Sequence, residues 1–191
     1  MSKLILATNN AHKVKEITQI LKGKFDEIIS LKQANIDVDP EENGSTFLAN
    51  AQIKAREIAK HTSFPVLADD TGLCVDALDG MPSIYSARYA GVHGDDKANR
   101  VKLLKELDGI KNRKAHFETV VVLHYPNGEE LYATGQVDGE ILFEEDGENG
   151  FGYDNIFFCN EMNKSFGVAS DQEKNSVSHR ARAIWNLLEQ L

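Results

Sequence analysis

The sequence is short of the features that mark many protein classes. Only two of its 191 residues are cysteine, Cys74 and Cys159, and each sits inside an apolar run, GLCVDAL and NIFFCN. Thiols in such surroundings are expected to be buried and reduced, so the chain is not a disulfide scaffold. No CxxC or HxxxH spacing points to zinc. Prolines number four, and no Pro/Gly/Ser-rich stretch or repeat divides the chain, so residues 1–191 are expected to form one domain. No apolar run approaches the ~20 residues a membrane span needs, and the short stretch after Lys3 is interrupted by Asn9 and Asn10, unlike a signal peptide. A cytoplasmic protein with no membrane partner is the expectation. Positive charge is scarce as well: 21 Lys and Arg face 30 Asp and Glu, for a net charge of −9, which argues against a broad nucleic-acid surface. Two common nucleotide-binding signatures are also missing, GxGxxG after the first strand and GxxxxGK[ST] anywhere.

What is present alternates between strand and helix patterns. Lys3–Thr8 is an apolar strand, and Asn10 can cap a helix with Val14, Ile17, Ile20 and Leu21 on one face. A second strand is expected over Asp26–Leu31. An acidic loop follows, then a helix opened by Ser45 or Thr46 that turns Phe47, Ala51, Ala55, Ile58 and Ala59 inward. Pro65–Ala68 and Leu73–Ala77 read as strands around a turn at Asp69-Asp70-Thr71-Gly72, and Gly80–Gly94 reads as loop. Asp95 can cap a third helix. Ala115–Tyr125 and Leu131–Val137, joined by Pro126-Asn127-Gly128, form a hairpin pattern. A strand over Ile156–Cys159 and a last helix from near Ser178 complete the chain. The mixed order predicts an α/β protein with a mixed sheet.

Several segments carry residues suited to chemistry. Thr8, Asn9, Asn10 and Lys13 stand where a strand passes into a helix N-terminus, a place that can hold an anion or be an ordinary capped helix. Asp69 and Asp70 follow an apolar strand. Neighbouring strand residues face opposite sides, so one carboxylate can serve as a Mg²⁺ ligand or general base while the other fixes the turn; an Asx-turn accounts for them equally well. Glu41 and Glu42 can complete a metal site or be solvated loop residues. In Gly150-Phe151-Gly152-Tyr153-Asp154, glycines admit a ligand close to the backbone, Phe151 offers a flat face to a base and Asp154 an acceptor; a turn with core aromatics fits too. Lys174, His179 and Arg180 place positive charge near the start of the last helix, against its dipole. Arg88 can clamp a phosphate or hold a loop.

Taken together, the segments ATNNAHKVKE, EENGSTFLANAQIKAR, LADDTGLCVDALDGMPSIYSARYAG, GFGYDNIFF and SHRARA closely resemble the inosine triphosphate pyrophosphatase family, the XTP/dITP diphosphatases. The resemblance runs from Ala7 to Arg180 in family order. It implies an elongated mixed β-sheet with flanking helices, forming two lobes around a central active-site cleft, and a homodimer. It implies hydrolysis of ITP, dITP and XTP between the α and β phosphates, releasing pyrophosphate. By the same resemblance Thr8, Asn9, Asn10 and Lys13 contact the triphosphate, Glu41 and Asp70 hold Mg²⁺, and Asp70 activates water. Thr71 touches substrate, Phe151 and Gly152 receive the purine, and Tyr153, Asp154, Lys174, His179 and Arg180 close the base pocket. The chain departs from the family at two points. Asn9 stands where the family usually has glycine, although asparagine tolerates positive φ, and Asn155 replaces a usual proline.

Overall fold

The computed structural model describes residues 3–191. In chain order the strands are β1 (Lys3–Leu6), β2 (Glu27–Ser30), β3 (Val66–Val75), β4 (Lys114–His124), β5 (Glu130–Ile141), β6 (Phe157–Cys159) and β7 (Lys164–Ser165). The α-helices are α1 (Ala11–Ile20), α2 (Phe47–Ala59), α3 (Asp96–Glu106), α4 (Asp171–Asn175) and α5 (His179–Leu188). The strands form one sheet in the order β2-β1-β3-β4-β5-β6-β7. β1 pairs in parallel with β2 and β3, whereas β5–β6 and β6–β7 are antiparallel, so the sheet is mixed, as the alternation of patterns predicts.

Backbone contacts divide the chain into two units. The first comprises residues up to Asp70, Thr119–Gly135 and Arg180–Leu191; the second comprises Thr71–Glu118 and Gln136–His179. In the first unit, strand alternation builds two apolar layers. Leu4, Leu6 and Leu67 pack with Ile17 and Leu21 of the α1 region and Ile184 and Leu187 of α5. Ile5, Ala7, Val66 and Ala68 point the other way and pack with Ala51, Ala55 and Ile58 of α2. The second unit has one core, with Leu73 and Val75 of β3, Leu103 of α3, Phe117 of β4, Val137 of β5, and Phe157 and Phe166. Phe117 and Phe157 meet with ring centroids 4.6 Å apart, tilted by 58°, a favourable arrangement of their quadrupoles.

The helix starts follow the sequence closely. Asn10, Thr46 and Asp95 cap α1, α2 and α3 through side-chain oxygens. The hairpin turns at Gly128, whose φ of +88° suits glycine and whose N–H donates to Tyr125 O at 2.9 Å. Both cysteines are buried, and neither is in a disulfide.

The structure corrects three expectations. β3 runs unbroken from Val66 to Val75, so Asp69–Gly72 is strand and not a turn. The Asx-turn reading assumes carboxylates that satisfy themselves locally. Here both find distant buried partners, and the backbone keeps its extended conformation. The Gly80–Gly94 region holds a 3₁₀ helix over Ser83–Arg88, preceded by another at Asp76–Leu78. Finally, α4 and β7 have no counterpart in the sequence patterns. Each is too short to show periodicity, and α4 starts at a capping box between Ser170 and Glu173.

Candidate functional site

The first group of candidate residues lies in the first unit, where β1 ends and α1 begins. The Asn10 side chain accepts from the His12 and Lys13 N–H groups at 2.9 and 3.2 Å, and Thr8 Oγ1 accepts from Asn10 N–H at 3.1 Å. This is an N-cap, so two of the helix's free donors are already engaged. Asn9 is exposed, and its amide reaches Asp39 at 3.4 Å. Among the described residues, the non-glycine ones with positive φ are Asn35, Asp79, Ser83 and Asn163. Asn9 is not among them, so its replacement of a glycine needs no strained backbone.

The two aspartates of β3 face opposite layers, in step with their neighbours. Asp69 follows the parity of Leu67 toward α1 and α5; Asp70 follows Ala68 toward α2. Asp69 Oδ2 lies 3.0 Å from Lys13 Nζ and accepts from Nε and Nη2 of Arg180, each at 3.3 Å. The Arg180 guanidinium is fully buried and also binds the Glu16 carboxylate. Burial alone raises the Asp69 carboxyl, but Lys13, Arg180 and Lys54 outweigh it and hold the group well below the usual carboxylate range. Lys13 is pulled below its ordinary value by burial, against the opposing pull of Asp69.

Asp70 is different. Burial pushes its carboxyl up to about 6, with Glu42 adding to the rise and Lys54, Lys13 and the Asn50 hydrogen bond opposing it. Asn50 Nδ2 donates to Asp70 Oδ2 at 3.0 Å, while Asn50 Oδ1 accepts from Gly44 N–H at 2.8 Å. A Cβ at Gly44 would lie 2.7 Å from that oxygen, so glycine lets the acidic loop approach α2. Adjacent residues on one strand therefore divide into a firmly ionised carboxylate and one poised near neutrality.

The acidic loop supplies the remaining donors. Glu42 is half-buried with Oε1 3.1 Å from Lys54 Nζ, and Glu41 is exposed. Glu41, Glu42 and Asp70 are all hard oxygen donors, the set that a small divalent cation takes. Burial is the main cause of the raised Asp70 carboxyl and the Glu42 charge adds to it, so a cation beside these two groups would favour their ionised forms. The residues fit such an ion.

The second group lies in the second unit. Lys174 Nζ donates to Asp154 Oδ2 at 2.6 Å, and the Phe151 N–H donates to the same oxygen at 2.9 Å. The Lys174 ammonium also stands 4.8 Å from the centre of the Phe151 ring. Gly150 has φ +76°, and a Cβ there would meet Asp154 Oδ2 at 2.1 Å. Gly152 N–H donates to Asp96 Oδ2 at 2.8 Å, and its carbonyl accepts from Arg100 at 2.8 Å. Tyr153 is buried, and its hydroxyl donates to Ser86 O at 2.8 Å. His179 is buried and stacks on Phe117 at 4.7 Å. Thr71 is half-buried on β3, and Arg88 lies over the Tyr85 ring at 5.2 Å.

Phe151, Asp154 and Lys174 are thus held by mutual contacts, while Gly152 is tied to Asp96 and Arg100 and Tyr153 to Ser86. Arg180, grouped in the sequence with His179, instead places its guanidinium on Asp69 and Glu16. The pattern of residues overlooked Lys54, Asn50 and Glu16. Lys54 is buried beside Asp69, Asp70 and Glu42, which together raise it above its ordinary value despite burial. Its signal was available: Lys54 occupies the apolar stripe of α2 with Ala51, Ala55 and Ile58, and a lysine on such a stripe needs a buried partner.

Known proteins resemble the chain over nearly its whole length. The Ham1 family model matches residues 4–190. A dITP/XTP pyrophosphatase of Clostridium perfringens is 50% identical, with 100% of this chain and 98% of the relative covered. A dITP/XTP pyrophosphatase of Leuconostoc mesenteroides is 47% identical, with 99% and 96% covered. Among solved structures, the Staphylococcus aureus Ham1 protein superposes with a TM-score of 0.86 at 41% identity, covering 99% of this chain and 97% of that one. A HAM1 protein from Coxiella burnetii gives 0.87 at 37% identity over 100% of both chains. With its family model matched almost end to end and its sheet shared with solved members, the chain belongs to the Ham1 family.

Proposed function

We propose that this chain hydrolyses the non-standard purine nucleoside triphosphates dITP, ITP and XTP to the nucleoside monophosphate and pyrophosphate, with Mg²⁺, and so removes them from the nucleotide pool. The observation that carries the chemistry is the divided aspartate pair: Asp70 pushed up to about 6 beside an Asp69 held ionised by Lys13 and Arg180. A carboxylate near neutrality, close to other charged groups, suits a general base that takes a proton from water. The full-length likeness to proteins named dITP/XTP pyrophosphatase supports the substrate class.

In this reading Asp70 and Glu41, with Glu42 alongside, hold Mg²⁺. When bound, the ion neutralises the polyphosphate charge and stabilises the leaving pyrophosphate. Lys13 and Lys54 add positive charge from the protein, and Thr8, Asn9 and Asn10 hydrogen-bond the phosphates. Asp69 acts through Lys13 and Arg180, fixing both cations. Thr71 touches the substrate next to Asp70. Phe151 stacks on the purine, with Gly152 allowing close approach. Tyr153, Asp154, Lys174 and His179 shape the base site, whereas Arg180, expected there by resemblance, is buried on Asp69 and Glu16 and braces those carboxylates. Hypoxanthine and xanthine carry an N1–H donor and a 6-keto acceptor, where adenine presents the reverse. Asp154 as acceptor and a cationic donor such as Lys174 match the first pattern and would leave unpaired groups against adenine. Such a mismatch supports discrimination of ~10⁴ or more. A homodimer, which rests on the family resemblance, and a cytoplasmic location, which is the expectation from the sequence patterns, belong to the same proposal.

The test is pyrophosphate release from ITP, XTP, dITP, GTP, ATP and a modified pyrimidine triphosphate, each with Mg²⁺ and with EDTA. Strong metal-dependent release from the first three is expected, with little from ATP, which the 6-position excludes, and little from GTP, which shares the 6-keto group and must be excluded at its 2-amino group. Equal release from ATP would remove the base-site reading, and release from none would remove the enzyme reading.

A further inference from the structure

The second unit carries a cluster of donors that the reading above leaves unused. Cys74 lies on β3, and His116 and Glu118 lie on β4, its neighbour in the sheet. His116 and Glu118 are two residues apart on one strand and so face the same side. Ala115 and Phe117, on the opposite parity, belong to the core, as do Leu73 and Val75 on either side of Cys74. The three side chains therefore share the face of the sheet turned away from that core. The Cys74 sulfur, a His116 ring nitrogen and a Glu118 carboxylate oxygen all lie within 4.8 Å of one another. His116 Nε2 is 4.0 Å from Glu118 Oε2.

We infer that Cys74, His116 and Glu118 form a metal site of the second unit that takes a zinc-class transition-metal ion. The donor set argues for the class. A thiol and an imidazole favour zinc and its late first-row neighbours over Mg²⁺ or Ca²⁺, which take oxygen. The spacing argues for the geometry. Donors around a tetrahedral zinc, bound at about 2.0–2.3 Å, stand about 3.3–3.8 Å apart, so the cluster needs to close by about an ångström, within the reach of side-chain rotation. Access argues for loading: the His116 and Glu118 side chains are 27% and 32% exposed, while Cys74 is buried beneath them. Three protein donors leave the fourth position to water or an external ligand. Burial, with the nearby Glu118 charge, pushes the Cys74 thiol up to about 11 against a hydrogen bond with Ser83. The thiol is neutral until an ion displaces its proton, and a bound cation also relieves the carboxylate's repulsion of the thiolate. An ion held in this way would tie β3 to β4 from the side opposite the core.

The experiment is a cobalt titration of the full chain, reduced and stripped of metal, in excess Mg²⁺ so that hard oxygen sites are filled. Cobalt bound to thiolate gives a charge-transfer absorption that oxygen ligands do not. Wild type is expected to develop this absorption with saturation near about one equivalent, and to lose it when zinc is added. Cys74→Ser is expected to abolish it. His116→Ala and Glu118→Gln, at half-exposed positions that the core does not need, are expected to weaken cobalt binding about tenfold or more each while keeping the wild-type circular dichroism. Cys159→Ser and Asp70→Asn are expected to leave it unchanged. The inference is overturned if wild type shows no absorption, if the absorption survives in Cys74→Ser or disappears in Cys159→Ser, or if the folded His116 and Glu118 variants bind as wild type does. Loss of pyrophosphate release in the panel above would leave this titration unaffected, so the two readings fail separately.

Discussion

Asp69 and Asp70 are chemically identical neighbours, and the structure predicts opposite consequences for removing their charges. Asp69 compensates the buried Lys13 and Arg180. Asp69→Asn leaves those cations poorly matched and is expected to cost about 3–5 kcal/mol, read as a lower midpoint in urea unfolding. Its depressed carboxyl contributes stability that is present above the ordinary Asp value and lost as pH falls through the folded value. Asp70 has the reverse sign. A carboxyl raised to about 6 favours the protonated form in the folded chain, so stability declines as pH rises from about 4 to about 6, where the unfolded group ionises while the folded one keeps its proton. At pH 7 that shift corresponds to at most ~3 kcal/mol. Asp70→Asn is therefore expected to raise the thermal midpoint while abolishing turnover. A variant that is both inactive and less stable would contradict this account of Asp70. For wild type, turnover is expected to fall as pH drops below about 6, and added divalent cation should move that fall to lower pH; a flat profile from pH 5 to 8 would count against Asp70 as base.

Among the secondary-structure elements, the site depends on helix starts and glycine approaches. Thr46 caps α2, which carries both Asn50 and Lys54. Thr46→Ala is expected to destabilise the chain by about 1 kcal/mol, with a smaller loss of turnover than Lys54→Ala, as steady-state assays on both would show. Gly150→Ala brings a Cβ into the Asp154 carboxylate at a positive φ. It is expected to raise KM for ITP about tenfold or more with a smaller change in kcat, because the contacts to Phe151 and Lys174 are displaced. The helix starts were legible in the sequence because capping is local: Asn10, Thr46 and Asp95 each bond residues two or three positions away. The reach of β3 through Asp69–Gly72 was not legible, since what keeps it extended comes from Lys13, Asn50 and Arg180, distant in sequence. The same limit hid Lys54, although its place on the apolar stripe of α2 was visible. It also hid the Cys74–His116–Glu118 cluster, whose members come from different strands and match no spacing motif.

For the molecule as a whole, composition set firm bounds and the fold supplied the arrangement. The mixed sheet followed from the order of patterns. The division of contacts into two units did not, because each unit is assembled from separate stretches of chain. β3, β4 and β5 each contribute residues to both units. Unfolding is therefore expected to be a single transition, with far-ultraviolet circular dichroism and the fluorescence of Trp185 giving the same midpoint in urea; separated midpoints would show that the units melt independently.

The bond between Arg180 and Glu16 joins residues 164 positions apart. During synthesis at about 5–20 residues per second, Glu16 and Asp69 emerge many seconds before the guanidinium that balances them. A nascent chain thus holds an unfinished charge cluster, and the earlier strands cannot settle around it while most of the protein is being made. Maturation of the carboxylate centre is a late event, timed by arrival of the final helix and not by the order in which its aspartates were translated.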